Sequence, residues 1–313
     1  MKNKNPKIFV MGAGSVGCFF GGMLARSGKD VTLIARSPHV EAIHQKGLYM
    51  ECINFQEYVP IMATIDQSEI KDADIILLCV KSPDTQKTIE GIQAYLKKDV
   101  VILSLQNGVS NCEIIKKMNP IHVYPAVVYV ATSMTGPGHL KHFGRGELLI
   151  GDLDNQLLID ESIQDELHFL AEIFSSSGVP CAISENIKYE LWSKFLVNCC
   201  YNGISAIGQI QYGKMAAQSE IVALMNQITA EFLAIALKEG VAMTSEQAAA
   251  LTEKIAISMS GQRSSTAQDL ARKKPTEIDY LNGLIVQKGQ DYGIKTPANQ
   301  SIYALVKMLE SSY

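Results

Sequence analysis

The sequence lacks the cysteine and histidine spacings that usually hold metal ions. It has seven cysteines and six histidines, but no C-x-x-C pair and no H-E-x-x-H motif. His139 and His142 lie in a segment rich in glycine, where a loop and not a ligand pair is expected. We therefore expect no metal site. The odd cysteine count and the adjacent Cys199-Cys200 pair indicate buried thiols in a reducing cytoplasm instead of disulfides.

A strongly basic region is also missing. The formal net charge is -4 and the pI is about 5.9, and the clusters of lysine and arginine are short. Nucleic-acid binding depends on a basic face, so we expect no nucleic-acid partner. There is no internal repeat and no low-complexity tract.

One apolar run resembles a membrane segment. It extends from Ile8 to Ala25 after several lysines, but five glycines interrupt it. A turn and a second strand-like segment follow, which fits a strand, turn and helix and not a signal peptide. We therefore expect no membrane association and a cytoplasmic protein.

What is present near the N-terminus is a glycine fingerprint in a βαβ setting. A strand over Ile8–Met11, a helix over Ser15–Arg26 and a strand over Val31–Ala35 surround the G-x-G-x-x-G motif. The helix start is a favourable place for a diphosphate, since it carries positive partial charge. The residues expected to contact the cofactor here are Gly12, Ala13, Gly14, Ser15, Val16 and Gly17.

The second strand is followed by Arg36, where NAD-binding proteins usually place an acidic residue for the ribose hydroxyls. An arginine pairs well with a 2′-phosphate, which favours NADP(H) as the cofactor. Ser37 and His39 are further candidates for this contact. An ordinary surface arginine is the alternative.

Two continuous apolar strands follow, over residues 73–81 and 100–109, as expected for a parallel sheet covered on both faces. Each ends in polar residues. Ligands of open α/β sheets bind beyond the carboxyl ends of the strands, so Lys81 and Asn107 are candidates for the nicotinamide-ribose side of the site. A solvated lysine and a simple turn are the alternatives for these two residues.

The length of 313 residues fits two domains, and the pattern changes near residues 184–187. We predict an α/β fold: an N-terminal Rossmann-type NADP-binding domain, residues 1–186, and an all-helical substrate and catalytic domain, residues 187–313. The predicted helices of the second part include residues 219–240 and 275–292. Their apolar faces permit a homodimer without requiring one.

The helix predicted from residue 188 carries a polar stripe. Lys194, Asn198 and Asn202 recur every four residues, so they share one face, among Trp, Phe, Val and Cys. An ion pair between Glu190 and Lys194 would not explain the asparagines, whose burial without partners costs about 1–3 kcal/mol each. The stripe therefore predicts that something polar lies opposite it, either another segment or a ligand.

Taken in order, the motifs of the whole chain resemble those of the ketopantoate reductase (2-dehydropantoate 2-reductase) family. The resemblance depends on the segments GAGSVG, VK at 80–81, QNG at 106–108, ELWSKFLVNCCYN at 190–202, SSTAQDL at 264–270 and TEIDYLNG at 276–283. It implies NADPH-dependent reduction of 2-dehydropantoate, a small 2-oxo acid, to pantoate for pantothenate and coenzyme A synthesis.

The resemblance also implies roles for individual residues. Lys194 would act as the general acid on the ketone oxygen, which accords with the negative charge that hydride addition builds there. Glu277 would shape the site and contact substrate, lysine or cofactor, and Asn107 would hold the ribose. The implied substrate contacts are Asn198, Asn202, Ser265 and Gln262, of which Gln262 replaces the asparagine common in the family.

Two alternatives stay open at this point. One is a reductase of another 2-oxo acid on the same scaffold, since the sequence alone does not select among paralogues. The other is a non-catalytic NADP-binding protein that senses redox state. The joint presence of Lys194 and Glu277 disfavours the second alternative, because such a protein has little use for this pair.

Overall fold

The computed structural model describes residues 5–118, 121–154 and 156–312. The chain divides into two compact units, residues 1–187 and 188–313. The first is a mixed α/β unit with a Rossmann-like strand order, and the described part of the second is helical. The predicted fold class is thereby confirmed.

The first unit contains ten strands among its described residues. They are β1 (Ile8–Met11), β2 (Val31–Ile34), β3 (Leu48–Glu51), β4 (Gln56–Val59), β5 (Met62–Thr64), β6 (Ile75–Leu78), β7 (Val101–Ser104), β8 (His122–Gly136), β9 (His139–Ile150) and β10 (Cys181–Ile183).

These strands form one sheet in the order β4-β3-β9-β8-β7-β6-β1-β2-β5, with β10 paired to β9. The part from β5 to β7 is parallel. β8 belongs to both halves of the sheet: residues 122–125 pair in parallel with β7, and residues from Ala126 onward pair antiparallel with β9. The sheet is thus a parallel Rossmann-like arrangement extended by a long hairpin.

In the described part of the first unit, five α-helices accompany the sheet: α1 (Ser15–Arg26), α2 (Ser37–Lys46), α3 (Thr85–Ile92), α4 (Asn111–Met118) and α5 (Glu161–Ser176). Alternate residues of the parallel strands enter two different cores. Val10 and Leu77 belong to one core, and Met11 and Leu78 belong to the other. Both faces are covered, which explains why these strands are apolar throughout and not alternating.

The second unit consists of seven helices among the described residues. They are α6 (Ile187–Gly208, beginning at the last residue of the first unit), α7 (Tyr212–Ala216), α8 (Ser219–Lys238), α9 (Ser245–Ser258), α10 (Ser265–Ala271), α11 (Asn282–Tyr292) and α12 (Pro297–Glu310). α9 begins with a capping box between Thr244 and Gln247. α11 ends at Gly293, whose left-handed backbone suits glycine.

An aromatic cluster joins α6 to α8. The rings of Trp192, Phe195 and Phe232 are mutually edge-on at 5.2–5.6 Å between centroids. Elsewhere α8 leaves Val222 and Leu237 exposed. Among the described residues, α8 is also the one helix long and apolar enough to pass a simple test for spanning a bilayer. That test is weak evidence for a single helix, since core helices of soluble proteins also pass it.

Two predictions about local structure are wrong. His139 and His142 lie in strand β9 and not in a loop. The helix predicted over residues 275–292 is interrupted: residues 278–280 form a 3-10 turn, Leu281 has φ -112° and ψ -109°, and α11 begins only at Asn282. Glu277 and Leu281 therefore do not share a face of one helix.

Candidate functional site

The glycine turn between β1 and α1 has the geometry of a diphosphate cradle. Gly12 has φ +96°, and a Cβ there would lie 2.8 Å from the Val80 nitrogen. Gly17 lets α1 pack on β1, since its Cβ would lie 2.4 Å from the Gly12 carbonyl oxygen. By contrast, a Cβ on Gly14 would meet no atom within 4 Å. The turn is therefore closed on the protein side and open at Gly14.

The N-terminus of α1 offers a second feature that suits an anion. Gly14 is the N-cap residue, and no side chain caps this helix end. The first backbone N–H groups of a helix point outward and carry positive partial charge. Ala13, Ser15 and Val16 complete the turn, with Ala13 buried and the other two half-buried. These residues fit the diphosphate of a dinucleotide.

The remaining cofactor candidates of the first unit lie at the same edge of the sheet. β7, β6, β1 and β2 are neighbours and run parallel, so the residues that follow them emerge together. Arg36 is exposed two residues beyond β2 and is the N-cap residue of α2. Lys81 and Asn107 follow β6 and β7, the first exposed and the second half-buried. The structure thus brings these three residues to the edge that carries the glycine turn.

A buried hydrogen-bond network, which the sequence analysis did not anticipate, fixes the two loops bearing Lys81 and Asn107. The Asn111 amide donates to the Asn107 carbonyl at 2.7 Å and to the Ser82 hydroxyl at 3.2 Å. The Ser82 hydroxyl in turn donates to the Asn107 carbonyl at 2.9 Å. The chain conformation at residue 107 is therefore set by side chains from both loops.

The network continues inward. The Thr85 hydroxyl donates to the Asn111 side-chain oxygen at 2.9 Å and accepts from the Gln106 amide at 2.6 Å. Gln106 also donates to the Val80 carbonyl at 3.0 Å. These side chains are buried, and a buried network whose bonds are made holds its loops rigidly. A hint was present in the sequence, because polar residues directly after buried strands need partners.

In the second unit, α6 carries the polar stripe. Lys194 and Asn198 are half-buried, one helical turn apart, while their neighbours Phe195 and Leu196 are fully buried. The side chains on this face can therefore reach a molecule outside the helix.

Asn202, at the end of the stripe, differs from the other two. It is 5% exposed, and its side-chain oxygen accepts a hydrogen bond from the Tyr212 hydroxyl at 3.3 Å. Burial, and then the neighbouring Tyr201, raise the pKa of Tyr212, so that hydroxyl keeps its proton. Asn202 thus has a partner within the protein, and its predicted contact with substrate is untested.

The segment containing Gln262 and Ser265 packs at the same end of α6. The Ser264 hydroxyl donates to the Asn202 carbonyl at 3.0 Å and accepts from the Ala267 N–H at 2.9 Å, as a helix cap. Ser265 and Gln262 are exposed, and so is Arg263. Ser264 is therefore occupied by structure, whereas Ser265 is available to a ligand.

Glu277 lies just before the 3-10 turn and is half-buried. Its neighbour Ile278 packs near Gly203 of α6, where a Cβ would come within 3.6 Å of the Ile278 side chain. Five residues later, the Asn282 amide donates to the Cys199 carbonyl at 3.0 Å. The segment 277–282 is thus placed along the middle of α6, although not as part of a helix.

The cysteines do not provide nucleophiles. All seven are free, with five buried and two half-buried. Burial raises the pKa of the Cys18 thiol and of the Cys200 thiol to about 12, and that of Cys52 to about 11. A thiol with so high a pKa carries almost no thiolate at neutral pH, and the thiolate is the reactive form. Among the described residues, no group of three or more histidine, cysteine or acidic side chains is arranged to hold a metal ion.

Comparison with known proteins places both parts of the chain. Residues 8–155 match the family model described as "Ketopantoate reductase PanE/ApbA", and residues 186–310 match "Ketopantoate reductase PanE/ApbA C terminal". The 2-dehydropantoate 2-reductase of Pyrococcus horikoshii is 31% identical over 307 residues, covering 97% of this chain and 98% of the relative. That of Archaeoglobus fulgidus is 30% identical over 305 residues, with the same coverage.

Solved structures with similar folds include two informative cases. A PanE/ApbA family ketopantoate reductase from Ralstonia eutropha JMP134 has a TM-score of 0.90 and 45% identity, covering 97% of this chain and 98% of that one. D-mandelate dehydrogenase, solved with NADH and anilino(oxo)acetate, has a TM-score of 0.90 and 31% identity, covering 98% of each chain. From its motifs, its fold and these matches, the chain belongs to the ketopantoate reductase family.

Proposed function

We propose that the protein is an NADPH-dependent reductase of 2-dehydropantoate that forms pantoate. The observation that carries the proposal is the half-buried pair Lys194 and Asn198, one turn apart on a helix whose middle, residues 191–206, is otherwise buried except at Val197. Relatives named 2-dehydropantoate 2-reductase, matched over nearly their whole length, support the choice of substrate. Two domains, residues 1–186 for the cofactor and 187–313 for substrate and catalysis, are part of the proposal.

A nicotinamide dinucleotide held by the first unit would supply the hydride. The open face at Gly14 and the N-terminus of α1 would hold its diphosphate. Arg36 would pair with a 2′-phosphate, which is why NADPH is proposed over NADH. Lys81 and Asn107, on loops fixed by the buried network, would hold the ribose next to the nicotinamide.

The ammonium group of Lys194 would donate a proton to the ketone oxygen of the substrate. Negative charge develops on that oxygen during reduction, and a cationic donor stabilises it before the proton moves. The Asn198 amide would bind a polar group of the substrate, and Ser265 its carboxylate, with Gln262 nearby. Glu277 would shape the site and contact the substrate hydroxyl, the lysine or the cofactor.

A second candidate is the reduction of a different 2-oxo acid. It is favoured by the similarity to D-mandelate dehydrogenase, a structure that contains NADH and anilino(oxo)acetate. The R. eutropha structure, at higher identity, carries the ketopantoate reductase family name. The two candidates share the proposed role of Lys194 and differ in substrate and cofactor.

The experiment is a panel of 2-oxo acids, including ketopantoate and benzoylformate, assayed with NADPH and with NADH. We expect the highest kcat/KM for ketopantoate with NADPH. Preference for an aromatic 2-oxo acid with NADH would replace the first candidate by the second. Binding of NADPH without turnover of any 2-oxo acid would support a non-catalytic cofactor-binding protein instead.

Lys194→Ala tests the mechanism separately from the substrate. We expect kcat to fall by about 10²–10⁴, the usual contribution of general acid catalysis, with little change in NADPH affinity. Lys188→Ala is the matched control on the same helix, because its ammonium group donates to the Glu239 carbonyl at 2.6 Å and has no part in the proposed chemistry. Normal turnover by Lys194→Ala would contradict the assignment.

A homodimer and a cytoplasmic location are further parts of the proposal. Val222 and Leu237, near opposite ends of α8, are exposed apolar side chains that a second copy would cover. Seven unpaired thiols accord with a reducing compartment. Light scattering of the purified protein would determine the oligomeric state.

A further inference from the structure

A chain of buried hydrogen bonds ends on the helix that carries Lys194 and Asn198. It starts at Glu231 on α8 and passes through Asn299 at the start of α12. It continues to Asn282 at the start of α11 and reaches the carbonyl of Cys199 on α6. Four helices therefore meet through three side chains, and both asparagines are fully buried.

The carboxylate at one end determines which way every amide points. Glu231 accepts from the backbone N–H of Ala298 at 2.7 Å, and from the backbone N–H of Asn299 at 2.9 Å and its amide at 2.8 Å. Both carboxylate oxygens accept hydrogen bonds from backbone N–H groups, and Asn299 turns its NH₂ group toward the carboxylate as a further donor. The carboxylate also takes the place of a side-chain cap on α12, where Thr296 makes none.

The direction is then transmitted to Asn282. With its NH₂ group directed at Glu231, Asn299 presents its oxygen to Asn282, which donates to it at 2.9 Å. The same NH₂ group of Asn282 donates to the Cys199 carbonyl at 3.0 Å. Neither aspartate nor leucine at position 282 can make these two donations. The two donations thus give asparagine a function at this position other than helix formation.

The point of attachment on α6 lies at the height of the polar stripe. Cys199 directly follows Asn198, and Gly203 lies one turn further along the helix. A Cβ on Gly203 would come within 2.2 Å of Ile302 and 3.5 Å of the Asn282 oxygen, so the bare glycine permits this close approach. The side-chain oxygen of Asn282 is itself buried without a hydrogen bond in the described structure. A buried oxygen without a hydrogen bond costs free energy, and this cost is offset where the NH₂ group of the same amide makes its two hydrogen bonds.

We propose that Asn282 is a positioning residue, which holds α6 at the rotation that directs Lys194 and Asn198 toward the substrate. The inference depends on the proposed function. Side-chain ends lie about 5–6 Å from a helix axis, so a rotation of about 10° moves them by ~1 Å. A displacement of that size lowers the rate of an oriented reaction by up to about 100-fold.

The test compares Asn282→Leu with Lys288→Met. The second variant removes the 2.6 Å ion pair from α11 to Glu239. Glu239 touches α6 at its first turn, through the bond that Lys188 donates to the Glu239 carbonyl, and this bond does not involve the Lys288 side chain. Both variants are expected to lower the Tm. At 25 °C we expect kcat of Asn282→Leu to fall about 10- to 100-fold with unchanged NADPH affinity, whereas Lys288→Met keeps the wild-type kcat. Should Asn282→Leu not fold, Asn282→Ser is measured in its place.

Hydrogen exchange provides a readout that does not require activity. We expect faster exchange of α6 amides around residues 199–206 in the Asn282 variant than in Lys288→Met. A folded Asn282 variant with kcat within about twofold of wild type would overturn the proposal. If the wild type reduces no 2-oxo acid, the proposed function fails, and hydrogen exchange alone then tests the anchoring of α6 by Asn282. Unchanged protection of α6 in the Asn282 variant would overturn the anchoring as well. Lost protection would support it.

Discussion

An added methyl group is expected to have different effects at Gly14 and at Gly17 of the glycine motif. In Gly14→Ala the new Cβ meets no protein atom within 4 Å, and the backbone, at φ -79° and ψ -166°, is accessible to alanine. In Gly17→Ala the Cβ would lie 2.4 Å from the Gly12 carbonyl oxygen and 2.9 Å from Val10. One variant should therefore lose cofactor affinity, and the other should lose stability.

For Gly14→Ala, two effects on stability oppose each other. Alanine restricts the unfolded chain, which stabilises by about 0.4–1 kcal/mol, but it is a poorer N-cap than glycine by a similar amount. The Tm should therefore stay nearly unchanged. The methyl projects into the space proposed for the diphosphate, and we expect the Kd for NADPH to rise by about 10- to 100-fold, which equals ~1.4–2.7 kcal/mol.

For Gly17→Ala, the new Cβ would clash with backbone and with a packed valine. The clash can be removed only if α1 moves away from β1. Overpacking of this kind costs about 1–3 kcal/mol. In a unit of this size each kcal/mol lowers the Tm by ~2–4 °C, so we expect a loss of about 2–12 °C.

Fluorescence titration with NADPH and scanning calorimetry measure the two quantities on the same samples. Gly28→Ala is unsuitable as a control because Gly28 has φ +84°, so Gly136→Ala, with open space around the Cβ and no positive φ, serves instead. Wild-type affinity in a folded Gly14→Ala variant would show that the diphosphate does not bind at this turn.

Three further predictions concern other parts of the protein. Arg36→Ala should lower the preference for NADPH over NADH by about 10- to 100-fold, since a charge-assisted hydrogen bond contributes ~1.5–3 kcal/mol. An unchanged ratio of kcat/KM values would exclude a role for Arg36. Asn198→Ala should raise KM for the 2-oxo acid with an unchanged Tm, whereas Asn202→Ala should lower the Tm because Tyr212 loses its partner. The reverse pattern would refute the assignment of Asn198 to the substrate and of Asn202 to the protein interior. The third concerns pH: burial acts to raise the pKa of Glu239, but hydrogen bonds from Lys288 and Tyr292 outweigh it and leave that pKa lowered. The contribution of Glu239 to stability is thus present above about pH 4.5 and is lost as the pH falls further. Between about pH 6 and 3.5, the urea midpoint of Glu239→Gln should therefore change less than that of the wild type.

The parts of the fold that sequence reasoning found are those with strong local signals. The predicted and observed boundaries of α1 are the same because a glycine turn and an apolar helix follow each other within a short stretch of sequence. β4 was not predicted because it lies at an edge of the sheet, where three of its four residues are exposed and no apolar pattern marks the strand. Short strands of this kind are defined by their pairing partners and not by their own composition.

The errors around residues 139–142 and 275–292 have a common physical origin in tertiary contacts. β9 tolerates Gly144 and Gly146 because the long hairpin with β8 supplies its hydrogen bonds. The helix predicted through Leu281 is broken where the Asn282 side chain bonds to α6 and to α12. The candidate site shows the same limit: Lys194 and Asn198 follow from helical period alone, whereas the network around Asn111 links residues more than twenty positions apart.

Because β8 pairs with strands of both halves of the sheet, it limits how the first unit can be shortened or transplanted. A fragment that stops before residue 122 would retain the glycine turn but leave β7, an entirely buried strand, as a bare apolar edge. Such edges recruit other chains and aggregate. The smallest portable version of this module must therefore include the whole hairpin, whose outer arm also packs on α1 through the rings of His142 and Phe19, 4.6 Å apart.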